Sequence, residues 1–154
     1  MNHFSIQPHV GFGPITLGTS RSEIAALMAT LGFVRHASRG RSDYYFRAAL
    51  QIEFGPDDIA DFIGISQSEL YRAEYFGTNV FDVPANKLVA IIAAKDGSGP
   101  REFDPDEADE YFPGQIMTLW GADRQYDYLG GEKRLVWAQV GLGSPRYAKE
   151  VRFS

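Results

Sequence analysis

The stretch ITLGTSRSEIAALM, residues 15–28, begins with alternating apolar residues and passes into an amphipathic helix. Ser20 can cap that helix and Glu23 completes a capping box, while Ile24, Leu27, Met28 and Leu31 recur at helical spacing before Gly32 stops it. The same order of residue types returns in VFDVPANKLVAII, residues 80–92. Phe81 takes the place of Leu17, Pro84 that of Ser20, and Leu88, Ile91 and Ile92 those of Ile24, Leu27 and Met28. One helix face is written twice.

Strand-like segments follow each helix in matching order. SDYYFR (42–47), LQIEF (50–54) and IADFIGIS (59–66), the last two separated by the turn GPDD (55–58), follow the first helix. QIMTLW (115–120) and LVWAQVGLG (135–143) follow the second. LQIEFG matches IMTLWG, and IADFIGI matches VWAQVGL with Gly64 on Gly141. The tract 95–114 reads as a polar insertion, and the closing YAKEVRFS as an edge strand or a frayed tail. One copy would leave a sheet face bare, whereas two can cover each other. The expected fold is therefore α+β, with two tandem helix-plus-antiparallel-strand repeats forming a continuous antiparallel sheet covered by helices. At 154 residues the chain is close to the roughly 150 of one domain, so a single domain over 1–154 is expected, with pseudo-repeats at about 10–72 and 73–150.

Composition narrows the function classes. A content of 44% hydrophobic and 14% aromatic residues suffices for a core without staples, and the absence of cysteine excludes disulfides, a thiol nucleophile and thiolate metal sites. A formal charge of −5 and a pI near 5.1 disfavour a nucleic-acid partner and favour a basic one. MNHFSIQPHVGFGP has no cationic segment followed by an apolar run, and no uncharged apolar stretch reaches roughly 18 residues, so no membrane partner and a cytoplasmic location are expected.

Catalytic signals are sparse. GFGPITLG (11–18) places Pro14 where an anion-binding loop needs an N–H, and no P-loop lysine follows. His3, His9 and His36 lack metal-ligand spacing, and Asp57, Asp58 and Asp61 sit in or just after a Gly-Pro turn, where solvent-facing roles suffice. Arg35, His36, Arg39 and Arg41 read as a solvated basic loop. Trp120 and Trp137 read as core residues of strands. No catalytic residue, cofactor or metal is expected, and the chain is read as a non-enzyme.

The most distinctive feature is the acidic run Glu102, Asp104, Asp106, Glu107, Asp109 and Glu110. It would steer a basic protein surface toward the adjacent Tyr111 and Phe112, with Tyr126 and Tyr128 flanking a turn nearby. These ten residues are the expected partner-binding set. A solvated polar face capped by Asp104 is the plainer alternative, and a calcium loop lacks the required ligand spacing.

GFGPITLGTSRSEI (11–24), with GTNVFDVPANKLV (77–89), FPGQIMTLW (112–120) and VWAQVGLGSPRYAKE (136–150), resembles small bacterial cytoplasmic proteins that look like immunity proteins of polymorphic toxin systems. The two-copy layout is similar to that of β-lactamase inhibitor proteins, although this chain has no cysteine and so shares at most their architecture. The resemblance implies a protein that neutralises a cognate toxin by occluding its functional surface. It supplies no catalytic residues. The alternative is a small-ligand-binding or regulatory module with a pocket between sheet and helices.

Overall fold

The computed structural model describes residues 1–99, 101, 103–104, 106, 109–126 and 133–150. The first half of the chain runs β1 (Asn2–Gln7), β2 (Gly11–Phe12), β3 (Ile15–Thr16), α1 (Arg21–Thr30), β4 (Arg35–Arg39), β5 (Ser42–Tyr45), β6 (Leu50–Phe54), β7 (Ala60–Ile65), β8 (Tyr71–Tyr75) and β9 (Thr78–Asn79). The second runs α2 (Ala85–Asp96), β10 (Asp109–Phe112), β11 (Met117–Trp120), β12 (Asp123–Tyr126), β13 (Lys133–Val136), β14 (Gln139–Gly143) and α3 (Pro145–Glu150).

Local chemistry sets the helices. Ser20 caps α1, its hydroxyl accepting the Glu23 N–H at 3.3 Å, and Gly32 ends it in the left-handed region at φ 83°. Ile24 and Met28 are buried, but Leu27 and Leu31 remain exposed, so the buried stripe is narrower than the spacing predicts. Pro84 starts α2, which buries Leu88, Val89 and Ile92, and left-handed Gly97 closes it.

Among the described residues the strands form a seven-stranded sheet of order β10-β11-β14-β7-β6-β5-β4, a five-stranded sheet of order β3-β2-β1-β8-β9, and the hairpin β12-β13. The larger sheet is antiparallel throughout, whereas β1 and β8 of the smaller sheet run parallel. This corrects the expected α+β fold of two tandem repeats in one helix-covered sheet. The described residues are mostly strand with three helices, and the strands divide between separate sheets. β8 straddles the boundary set between the two repeats and pairs with β1, which lies before the first, so the two stretches do not form equivalent units. The likeness of 15–28 to 80–92 is the spacing any helix adopts when one stripe faces a core.

Three further segments differ from expectation. Asp109–Phe112, inside the supposed insertion, pairs as a strand with β11. Residues 135–143 break into β13 and β14, because the Ala138 N–H turns to the carbonyls of Trp120 (3.0 Å) and Gly121 (3.1 Å), while Trp137 is buried and donates its indole N–H to Ala85 O at 3.1 Å. Residues 145–150 form helix α3, with the Ser144 hydroxyl accepting the Tyr147 N–H at 3.1 Å.

One apolar cluster joins both larger sheets to α1 and α2, running from Ile6, Phe12 and Tyr71 through Ile24, Met28, Ile52 and Ile63 to Leu88, Ile92, Leu119 and Leu142. Asp43 is fully buried beside it. Arg21 from α1 grips its carboxylate with Nη2 at 2.7 Å and Nε at 3.2 Å, and the Ser38 hydroxyl donates at 2.8 Å. Burial alone would raise the Asp43 pKa, but hydrogen bonds from Arg21 and Ser38 and the charges of Arg21 and Arg35 hold it below the usual carboxylate range. The same pair locks α1 onto β5 and, through Ser38, onto the edge strand β4.

Candidate functional site

The acidic run meets the larger sheet at edge strand β10. Its register on β11 pairs Asp109 with Trp120, Glu110 with Leu119, Tyr111 with Thr118 and Phe112 with Met117. Alternation therefore sends Phe112 to the core side, where it is fully buried, so it packs the interior instead of offering contact area. Glu110 is neutralised by Arg101, whose Nη1 lies 3.2 Å from Oε2 and whose guanidinium sits 4.5 Å from the Phe112 ring centroid.

What remains presented is a smaller set. Asp104, Asp106 and Asp109 are exposed, with Asp104 accepting the Asp106 N–H at 2.9 Å, and Tyr111 is half-buried. Glu102, Glu107 and Tyr128 lie outside the described residues, and Tyr126 closes β12 with only its backbone described. Trp120, expected in the core, stands 56% exposed directly across from Asp109. Its signal was available in the sequence: with Met117 and Leu119 inward, a period of two puts Trp120 outward.

A buried polar cluster aims this edge. Asp96 at the end of α2 accepts the N–H groups of Gln115 (2.9 Å) and Gly114 (3.3 Å), and the Gln115 amide donates to Asp96 Oδ1 (3.2 Å) and Ile92 O (3.1 Å). The Tyr75 hydroxyl donates to Gln115 Oε1, and His9 Nε2 donates to Gly114 O at 2.9 Å. Burial pushes the Tyr75 pKa up to about 12. Burial also pushes Asp96 upward, but hydrogen bonds from Ser98, Gln115 and the backbone outweigh it and hold the carboxylate ionised below its usual range. Gly114 has to be glycine, since a Cβ there would lie 2.2 Å from Asp96 O.

The outward face of the larger sheet is partly covered. Phe62 stacks on Tyr147 of α3 at 4.7 Å, and Asp61 is held by the Ser144 hydroxyl (3.1 Å) and Arg146 Nη1 (2.8 Å), a tie between sheet and helix. Asp58 lies 3.9 Å from Arg21. Among the described residues no group of His, Asp and Glu is placed to hold a metal ion, and no helix is long and apolar enough to cross a membrane. The basic segment expected as a solvated loop is instead the other edge strand, β4. Compared with protein-family models, curated proteins and solved structures, the chain matches none.

Proposed function

We propose that the chain is a non-enzymatic, immunity-type protein that binds a cognate toxin at the β10 end of the larger sheet and covers the toxin's basic functional surface. The observation that carries this reading is Trp120, 56% exposed and in register with the exposed Asp109 on the edge strand. An indole left in water across from a carboxylate combines the two elements of a fast and tight interface. The carboxylates of Asp104, Asp106 and Asp109 draw in a cationic surface, and the ring supplies a desolvated anchor of the kind that dominates interface energies.

The test is capture of partners by the tagged full chain, and by Trp120→Ser/Asp109→Lys, from cells that carry its gene. The wild type should retain one stoichiometric basic protein that high salt releases and that the variant does not hold. That protein should arrest growth when expressed alone and be harmless beside the wild-type chain. Equal retention by the variant, or an eluate with no partner while the toxin is expressed, overturns the reading.

A further inference from the structure

The opposite edge of the larger sheet has a different character. β4 pairs with β5 alone, and its other side is open among the described residues. Beside it Phe33 and Val34, which follow α1, form a ridge between two grooves. One, of about 420 Å³, runs past Ala25, Ala29, Arg35 and Tyr45; the other, of about 390 Å³, runs past Asn2, His36, Phe46, Arg47 and Leu70. Val34 is 84% exposed, Leu70 (39%) lines the second groove, and Leu31 (48%) and Leu27 (40%) are exposed on the helix that leads into the ridge. Isolated exposed leucines are ordinary, but a ridge with apolar flanks and a groove along each side is a docking surface in form.

The ridge is held rigidly. Phe33 packs on Phe46 with ring centroids 5.0 Å apart, and Phe46 meets Tyr71 edge-on at 5.1 Å. Phe46, Arg47 and Ala48 all occupy the left-handed region, at φ 53°, 56° and 71°. Side chains with a Cβ rarely do so even singly. Tyr71 holds the turn by donating its hydroxyl to Ser66 O and lying 3.3 Å from Ala49 O. The result is that Arg47 stands exposed at the groove rim.

Arg35 and Arg39 are exposed along β4 and add to Arg47, with Glu69 beside Leu70 as an opposing charge. Arg35 approaches Asp43 at 3.7 Å, but that single carboxylate is already met by Arg21. The rim therefore carries excess positive charge on a chain of net charge −5. We propose that this edge binds an extended segment of a partner protein in which apolar residues alternate with Asp or Glu, added to β4 as a further strand with side chains in both grooves. Backbone pairing at an open edge supplies affinity, alternate side chains read the grooves, and the arginines select an acidic strand. They also repel the equally basic β4 edge of a second copy. This surface is distinct from the β10 end, and the inference stands or falls apart from the toxin reading.

A random-peptide display library selected on the immobilised full chain tests it. Selection should enrich peptides alternating apolar and acidic residues, and the best of them, synthesised and labelled, should bind the wild type with an affinity that falls as salt rises. Val34→Asp should weaken that peptide about tenfold or more, and Arg39→Glu should weaken it and flatten the salt dependence. Trp120→Ser and Val10→Asp, at exposed positions elsewhere, should leave it unchanged. All four variants should melt like the wild type, since none is buried. Peptides without acidic bias, undiminished binding to Val34→Asp, tighter binding of a labelled RNA oligonucleotide at the same edge, or self-association that Val34→Asp abolishes would each overturn the proposal.

Discussion

The two edge strands of the larger sheet are positioned by opposite means. β10 is aimed by a buried polar cluster in which Asp96, Gln115, Tyr75 and two backbone N–H groups satisfy one another. β4 is aimed by one buried ion pair, Arg21 with Asp43, and by aromatic packing under a turn of three left-handed residues. At the acidic edge the surface charge is partly spent on Arg101, and the exposed anchor is a lone tryptophan. At the basic edge Arg39 and Arg47 stand exposed, Arg35 leans on Asp43, and the apolar surface is spread over several residues. An edge held by many shared hydrogen bonds should fail gradually, while one whose ties converge on a single buried carboxylate should fail at once.

Arg21→Ala should produce the largest effect, about 3 kcal/mol, because it leaves the Asp43 carboxylate buried without its main partner. Hydrogen exchange should speed up in β4 and β5 before β10 and β11; equal acceleration at both ends would break the comparison. The loss should also depend on pH. Because the folded Asp43 pKa is held below its unfolded value, the wild-type benefit is present above the ordinary carboxylate range and disappears as pH falls through the lowered folded value. The gap between variant and wild type, read from urea melts, should therefore be widest near neutrality and close in acid.

Asp96→Ala comes next, at about 2 kcal/mol, since it strips acceptors from Gln115 and Gly114 while Tyr75, His9 and Ile92 still hold the corner. Local exchange at β10 and β11 should rise with β4 unaffected. Ala48→Gly should stabilise by about 0.5 kcal/mol, because glycine occupies φ 71° without strain. No gain in melting temperature would mean that the turn at the β4 end stores nothing. Smallest of all, Trp120→Ser should shift stability by less than about 0.5 kcal/mol while removing partner capture, a separation that assigns the ring to binding instead of packing.

Much local structure was legible in the sequence. The Ser20 cap, the Gly32 stop, the Pro84 start and the strands at 42–45, 50–54, 60–65 and 117–120 follow from spacing and turn chemistry. The global arrangement was not, because it depends on pairing between distant segments. NHFSIQ and YRAEY carry no mark that they run parallel to each other, and the register Phe4 to Ala73 exists only after the intervening chain has folded. β10 hid within an acidic run because ladder hydrogen bonds to β11 override the poor strand propensity of Asp and Glu. At the site, the aromatics face the opposite way from the expectation. Phe112 is core and Trp120 is surface, the reverse of what composition suggests, because the phase is set by a hairpin whose first strand, β10, lies within the acidic run. The β4 edge is hidden in the sequence because arginines around a short strand have the composition of a loop.

The parallel pairing of β1 with β8 also sets an order of assembly. β1 meets β2 at once, but it can meet β8 only after β2 through β7 have been laid down, so its other side must wait while local hairpins such as β5-β6 and β6-β7 close. During that interval the backbone of Asn2–Ser5 lies open to any unpaired edge nearby. Correct closure of the smaller sheet is then a kinetic competition, decided by whether Tyr71–Tyr75 arrives before another chain does.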